Sequence, residues 1–274
     1  MKLQVLVDNM TYIDQYYLGE PGVSYYLEDE GQSFLFDTGY SDVCIRNAQT
    51  MGISLETIHG IILSHGHNDH SGGLVPLRQF YARQERRQIP LIAHPQAFAQ
   101  RRCEGQSIGS PLCEKELAPV FSFQARTEPV WLTKHLVYLG EIPRTQSFEN
   151  QRAIGERLEQ GQWIPDYVPD DTALTYCSAQ GLVVITGCSH AGICNIVERA
   201  RRVCREPRIA AVIGGFHLMH PSQDTLAQTI AYFKRIHPDR VYAAHCIDFP
   251  SKCALAAAVP VTEVGVNLHL SWEA

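Results

Sequence analysis

The sequence predicts an α/β fold, and three observations carry that prediction. Short apolar segments of strand length alternate with helical segments along most of the 274 residues. Four of these apolar segments end in a turn of small residues that contains a histidine. Hydrophobic residues make up 45% of the chain and charged residues 19%, which is enough apolar material for a large core. We therefore expect a single α/β domain over residues 1–274, with its functional side chains at strand ends.

The composition excludes several classes of protein. Lys plus Arg number 23 and Asp plus Glu number 29, so the net charge is −6 and a nucleic-acid partner is not expected. No apolar run approaches the roughly 18 residues of a membrane-spanning helix, and the apolar start of the chain is too short for a signal-peptide core. The nine cysteines are odd in number and scattered, which argues against a disulfide framework, and they form no C-x-x-C pair, which argues against a structural zinc ribbon. We expect a cytoplasmic protein with no membrane partner, and a homo-oligomer is compatible with the sequence.

Turn and cap residues place the elements of the first half. A turn at residues 28–31 separates two strands, Ser41 is the expected N-cap of the next helix, and Gly52 ends that helix. The continuous apolar run at 60–63 suits a strand buried on both faces. The predicted strands are 3–7, 23–27, 33–36, 60–63 and 90–93, and the predicted helices are 41–51 and 74–86.

The second half repeats this order of strands, histidine turns and helices. Two prolonged irregular segments, near 103–130 and 141–170, contain scattered prolines and are predicted to be insertions that shape a binding site. The other predicted elements are a hairpin of strands 173–176 and 182–186, strands 208–213 and 241–243, and helices 193–202 and 222–236.

Residues 65–70 carry the strongest chemical signal in the sequence. They hold three imidazoles and one carboxylate directly after the buried strand, and these are ligand types of zinc, iron and manganese. One ion cannot easily take all four groups from so short a turn. Two ions can, with His65 and His67 on one, and Asp69 and His70 on the other. The missing ligands are expected from His190 and His245, which lie in matching turns.

The same residues carry a resemblance to a known family. Residues 64–73 (SHGHNDHSGG) resemble the H-x-H-x-D-H signature of the metallo-β-lactamase superfamily, and residues 37–39 (DTG) resemble its first motif. Within that superfamily, the turns at 187–192, 214–218 and 244–246 are similar to those of one branch. That branch includes the archaeal 7,8-dihydropterin-6-methyl-4-(β-D-ribofuranosyl)-aminobenzene-5′-phosphate synthase. The resemblance covers nearly the whole chain.

The resemblance implies an αββα sandwich with two divalent metal ions, zinc in most members, with manganese or iron as alternatives. It assigns His65 and His67 to the first metal, Asp69 and His70 to the second, and His245 to the late histidine of the family. Most members have a bridging aspartate where this chain has Cys188. Either Cys188 or His190 replaces it. We expect His190 to bind metal directly, because imidazole is the commoner ligand of a catalytic ion.

Three further residues are candidates for the site. His217 is a candidate ligand, proton shuttle or substrate contact, and we treat it as catalytic together with Asp69. Asp37, in the first motif, and His94, at the end of a strand, are candidates for contact with metal or substrate. The helix that begins near Ala191 is expected to direct free N–H groups at the same place, which suits a phosphate or carboxylate.

These residues predict metal-assisted hydrolysis. Two close cations generate hydroxide from water near neutral pH, and Asp69 can accept the proton. The predicted function is that of a dinuclear metal-dependent hydrolase acting on a small anionic substrate, such as a phosphate ester or a lactone. Two alternatives are a dihydropterin synthase-like enzyme that displaces pyrophosphate and a metal-dependent nuclease. The nuclease is disfavoured because the arginines at 78–87 and 101–102 are interpreted as a solvated helix face of an acidic protein.

Overall fold

The computed structural model describes all 274 residues and is a mixed α/β structure, as predicted. The strands are β1 Lys2–Val7, β2 Ser24–Asp29, β3 Gln32–Phe36, β4 Gly60–Ile62, β5 Ile89–Ala93, β6 Arg101–Cys103, β7 Gln106–Ser107, β8 Phe121–Ala125, β9 Val130–Trp131, β10 Leu136–Tyr138, β11 Glu156–Glu159, β12 Gln162–Pro165, β13 Ala173–Ser178, β14 Gly181–Thr186, β15 Ile209–Gly215, β16 Arg240–Ala244 and β17 His269–Ser271. The helices are α1 Val43–Thr50, α2 Asn68–Ser71, α3 Leu74–Arg83, α4 Glu114–Leu117, α5 Ile193–Cys204, α6 Gln223–Ile236 and α7 Phe249–Ala256.

The chain divides into two compact units. The first consists of Met1–Thr127, Ala153–Asp170 and Gly265–Ser271. It contains a seven-stranded sheet in the order β17-β1-β2-β3-β4-β5-β8 and a four-stranded sheet in the order β12-β11-β6-β7. The pairs β3–β4, β4–β5 and β5–β8 are parallel. Because parallel strands end at the same edge, the turns after β3 and β4 emerge side by side.

The core of the first unit forms against one face of its larger sheet. Helix α3 contributes Leu74, Leu77 and Tyr81, all of them buried, and helix α1 contributes Cys44 and Ala48. The spacing of three and four residues places each helix's apolar side chains on one stripe, which is the physical reason that these segments form helices on this sheet. This packing anchors the start of α3, directly after the histidine turn.

The second unit consists of Glu128–Arg152, Asp171–Val264 and Trp272–Ala274. Its six-stranded sheet has the order β16-β15-β14-β13-β10-β9, and β14, β15 and β16 run parallel. Every residue of β14 and β15 is buried, which explains their continuous apolar sequences. The carboxyl ends of the three parallel strands lie at one edge, and the turns with Cys188, His217 and His245 follow them.

Most predicted elements are present, and the differences have local causes. The first helix begins at Val43 with Asp42 as N-cap, so the prediction of Ser41 as cap is wrong. The Ser41 hydroxyl instead donates to Glu20. Segment 103–130 contributes the sheet strand β8, and segment 141–170 contains the hairpin β11–β12. These strands are short, and the prolines near them hide the alternation of apolar and polar residues that would indicate a strand.

No helix of the structure is both long enough and apolar enough to cross a membrane.

Candidate metal centre

The turn after β4 carries three buried histidines in the first unit. The side chains of His65 and His70 are inaccessible to solvent, and His67 is 6% exposed. The ring centroid of His65 lies 4.6 Å from that of His67 and 4.3 Å from that of His70. Asp69 Oδ2 lies 3.6 Å from His70 Nε2, and the Asp69 side chain is 29% exposed. The turn therefore brings its four predicted ligands together.

A buried chain of hydrogen bonds orients two of these rings. Ser64 donates its hydroxyl proton to Asp37 Oδ2 at 2.7 Å, and its backbone N–H donates to Asp37 Oδ1 at 2.7 Å. Because that hydroxyl proton is used, Ser64 Oγ accepts a hydrogen bond from His65 Nδ1, 2.9 Å away. His70 Nδ1 donates to Asp37 Oδ2 at 2.7 Å. Both rings thus carry the proton on Nδ1 and the lone pair on Nε2, which is the form that binds metal.

The third histidine is neutral for a different reason. Burial lowers the pKa of His67 to about 3, and the positive charge of Arg101 acts in the same direction, against the nearby carboxylates of Asp69 and Asp170. The imidazole is therefore uncharged at neutral pH and can donate an electron pair to a cation.

A buried cluster of charged side chains holds the backbone of the turn at Gly66. The Gly66 N–H donates to Asp170 Oδ2 at 2.8 Å, and the Asp170 carboxylate also binds the Arg101 guanidinium. Arg101 Nε donates to Asp166 at 2.8 Å. A Cβ at Gly66 would lie 1.7 Å from the carbonyl oxygen of Ala97, so only glycine fits between His65 and His67.

The second unit gathers another set of ligand types. The ring centroids of His190 and His217 lie 4.4 Å apart. A ligand atom of Cys188 lies within 4.8 Å of one of His245. The Cys246 thiol donates to the Cys188 carbonyl at 3.3 Å and accepts from the His217 N–H at 3.3 Å. The three strand-end turns of this unit thus place two thiols and three imidazoles together.

The thiol of Cys246 has an unusual electrostatic environment. Burial raises its pKa, but hydrogen bonds from Cys188 and His217 and the charges of His245 and His217 outweigh burial and hold the pKa well below its usual value. In the deprotonated form the sulfur no longer donates to the Cys188 carbonyl and keeps the hydrogen bond from the His217 N–H.

Three of the predicted site residues adopt a strained backbone conformation. Asp37, His217 and His245 have φ of 60°, 49° and 53°. The left-handed region is costly for residues other than glycine and persists where the surrounding structure enforces it, which is common at functional sites. Each of these residues follows the end of a parallel strand, where the turn must redirect a side chain towards the edge of the sheet.

The predicted anion site at the start of α5 is wrong, because this chain fills it itself. The Glu149 carboxylate accepts the N–H groups of Cys194 and Asn195 at 2.8 and 2.9 Å. Burial raises the pKa of Glu149 to about 7, and the two N–H bonds oppose that shift. A substrate anion therefore does not find free N–H groups at this helix end.

The remaining predictions concern His94 and the arginines. His94 is 4% exposed, and its Nδ1 accepts a hydrogen bond from the Gln96 N–H at 3.1 Å, two residues further along the same loop. Arg101 is 1% exposed and lies in strand β6, so its assignment to a solvated helix face is wrong. Ser64 and Cys246 are site residues that no sequence pattern identifies. The available signal is that each is adjacent to a predicted ligand, His65 and His245.

Comparison with known sequences extends over most of the chain. The Lactamase_B profile, which describes the metallo-beta-lactamase superfamily, matches residues 18–245. The 7,8-dihydropterin-6-methyl-4-(beta-D-ribofuranosyl)-aminobenzene-5'-phosphate synthase of Methanocaldococcus jannaschii is 28% identical over 266 residues, covering 92% of this chain and 89% of that protein. An uncharacterized protein of the same archaeon is 30% identical over 255 residues, covering 93% of each chain.

A solved structure is similar over its whole length. The crystal structure of Tm1679, a metal-dependent hydrolase of the beta-lactamase superfamily, has a TM-score of 0.86 and 27% sequence identity, with 100% of both chains covered. The likeness confirms the predicted fold type.

Proposed function

Because the chain belongs to the metallo-beta-lactamase superfamily, we propose that it is a dinuclear metal-dependent hydrolase that acts on a small anionic substrate, such as a phosphate ester or a lactone. The superfamily match and the enzyme relatives identify the chain as an enzyme. The hydrolytic reaction, the presence of two ions and their identity as zinc, manganese or iron are what we propose beyond this.

One observation carries the proposal above all others. The buried hydrogen bonds from Asp37 through Ser64 to His65, and from Asp37 to His70, present the Nε2 lone pairs of two rings in one turn. A buried carboxylate that orients histidine rings through their Nδ1 protons is a usual second layer of metal sites. The donor set thus fits a divalent transition metal on chemical grounds.

In this proposal the ligands are five imidazoles and one carboxylate. His65 and His67 bind one ion, Asp69 and His70 bind the other, and His190 and His245 supply the remaining imidazoles. Imidazole and carboxylate ligands suit zinc, and manganese or iron are alternatives. Cys188 lies near these ligands but is not itself proposed to bind an ion.

The catalytic roles follow from exposure and chemistry. Bound divalent cations supply an activated water at neutral pH and polarise the bond that is cleaved. Asp69 is the proposed general base, because its carboxylate is partly exposed while the histidines beside it are buried. His217, half-buried and packed on the ring of His190, is the proposed donor of a proton to the leaving group.

A specific observation favours a second candidate, a synthase that displaces pyrophosphate. The relative with 28% identity carries out a synthase reaction by its name. An organic pyrophosphate ester, offered without a second substrate, separates the two functions. A hydrolase releases pyrophosphate with water as the acceptor, whereas a synthase requires the acceptor molecule. No comparable observation favours a nuclease, and the burial of Arg101 removes one member of its suggested basic face.

Metal content is the direct test. We expect purified protein to carry about two transition-metal ions per chain, and exhaustive chelation to abolish hydrolysis of phosphate esters and lactones. Elemental analysis and rates before and after chelation measure both effects. Restoration of the rate by added zinc, manganese or iron(II) identifies the competent metal. Undiminished hydrolysis by protein proved free of metal would overturn the proposal.

The roles of His190 and Cys188 can be separated by counting ions. We expect His190→Ala to lose about one ion per chain, because it removes a direct ligand, and Cys188→Ser to retain both. The exposed His269 offers a matched control, since His269→Ala should retain both ions and full stability. The opposite pattern, with loss only in Cys188→Ser, would make the thiol the replacement for the family's bridging carboxylate.

A further inference from the structure

Two cysteines of the second unit lie at the end of its six-stranded sheet opposite the histidine turns. Strand β13 pairs antiparallel with β14, and Cys177 lies opposite Leu182, the second residue of β14. The turn at 187–192 follows the other end of β14. Helix α5 connects the parallel strands β14 and β15, so it runs back along the sheet and ends at Cys204. Both cysteines are therefore at the same end of this unit.

The two side chains also point into the same interface, between α5 and the sheet. Val197, Ala200 and Cys204 recur at a spacing of three and four residues, which places them on the stripe of α5 that packs into the core. Ala173 and Cys177 are four residues apart on β13, so they share one face of the sheet, and both pack against the same core. Since α5 contacts β13, the last residue of the helical stripe meets the last core-facing residue of the strand.

The thiols of these two cysteines are free and hydrogen-bonded to each other. The bond from Cys204 lowers the pKa of Cys177, and it outweighs the opposing effects of burial and of the Glu206 charge. The same bond and burial raise the pKa of Cys204. Both side chains are half-buried, so a small molecule in solution reaches the sulfurs. The pair thus consists of one thiol whose anion is favoured and a second thiol beside it, which is the arrangement that oxidation to a disulfide requires.

We propose that Cys177 and Cys204 are a modification site, at which a hydroperoxide such as hydrogen peroxide forms a reversible disulfide. The Cys177 sulfur attacks one peroxide oxygen and the O–O bond breaks, which yields a sulfenic acid and one water. The Cys204 sulfur then attacks the Cys177 sulfur, the S–S bond forms, and the hydroxyl group leaves with the Cys204 proton as a second water. Each sulfur loses one electron and the peroxide gains two. A dithiol reductant reverses the reaction.

The disulfide would join the two elements on either side of the turn that carries His190. It closes the chain from Cys177 to Cys204 into a loop, and β14, the turn at 187–192 and α5 lie within that loop. Neither cysteine is a proposed metal ligand, so this inference stands independently of the proposed hydrolase function.

The test is a map of cysteine oxidation in the full-length protein. The protein is treated with hydrogen peroxide, its remaining thiols are blocked with N-ethylmaleimide in denaturant, and the peptides of a trypsin and chymotrypsin digest are sequenced by mass spectrometry. We expect a crosslinked peptide pair that joins Cys177 to Cys204 and disappears after treatment with dithiothreitol. With dimedone present, Cys204→Ser should be labelled at Cys177, because the sulfenic acid has lost its partner. Cys177→Ser should not be labelled at Cys204.

A cysteine inside the same loop provides the matched control. Cys188→Ser should form the crosslink as wild type does, because Cys188 lies at the opposite end of the sheet. A wild-type map without a bond between Cys177 and Cys204 overturns the inference, whether the two thiols stay reduced or pair with other cysteines. Dimedone labelling of Cys204 in Cys177→Ser, with none of Cys177 in Cys204→Ser, overturns the assignment of Cys177 as the attacking thiol. The wild-type map decides the main point even if a serine variant does not fold.

Discussion

Arg101→Met is expected to lower the free energy of unfolding by about 3–5 kcal/mol, the range for breaking a buried ion pair by removal of one partner. The side chains of Arg101, Asp166 and Asp170 are all inaccessible to solvent. Methionine has a similar apolar stem but leaves two carboxylates buried without their cation. The loss of stability is measured as the shift in urea unfolding.

The same substitution should also weaken metal binding. Asp170 holds the backbone N–H of Gly66, between two proposed ligands, and Arg101 holds Asp170. Without the guanidinium, the carboxylate that positions the turn is free to move, so we expect metal affinity to fall by roughly 10–100-fold, the usual effect of losing an outer-layer contact. A competition titration with a chelating dye measures this second effect.

The next residue along the chain provides a matched control. Arg102 pairs with Glu156 on the surface, where both side chains are more than 40% exposed, and its guanidinium lies 4.1 Å from the ring centroid of Trp163. We expect Arg102→Met to cost about 1 kcal/mol and to leave metal affinity unchanged. Equal losses in the two variants would show that the buried cluster has no special place in holding the turn.

Asp69→Asn is expected to reduce kcat by roughly a hundredfold or more, the scale of removing a general base, while the protein stays folded. An amide has nearly the same shape as a carboxylate, but it is a poor metal ligand and does not accept a proton from water. The side chain is partly exposed, so the substitution leaves no buried charge unpaired. Turnover, metal content and the unfolding transition are measured on the same preparation.

The reading of that variant depends on its metal content. If Asp69→Asn binds fewer ions, supplementing the assay with metal tests whether the loss of rate is one of occupancy alone. The exposed Asp239 provides the control Asp239→Asn, for which we expect wild-type turnover. A metal-loaded Asp69→Asn protein that is nearly as fast as wild type would contradict the role of general base and leave Asp69 a structural role.

The pattern of the chain was sufficient to predict elements whose signals are local. Strand β4, an uninterrupted apolar run, and helix α6, capped by Ser222, were both found because a few neighbouring residues specify them. Strand β8 and the hairpin β11–β12 lie in segments for which the sequence predicts no strand. Their residues alternate over only four or five positions, and pairing with strands distant in the sequence supplies the rest of their stability.

The site divides in the same way. The sequence by itself determined the four ligand candidates of residues 65–70, because chemistry that lies within six residues is visible without knowledge of the fold. Only the tertiary structure decided which ring nitrogens are available to bind metal. Asp37 is distant in sequence from His70, and the bond from His65 to its neighbour Ser64 depends on how the two side chains are oriented. It also decided that Glu149 occupies the start of α5. The physical reason is that a buried polar group must find a partner, and the fold, not the distance along the sequence, determines which partner is near.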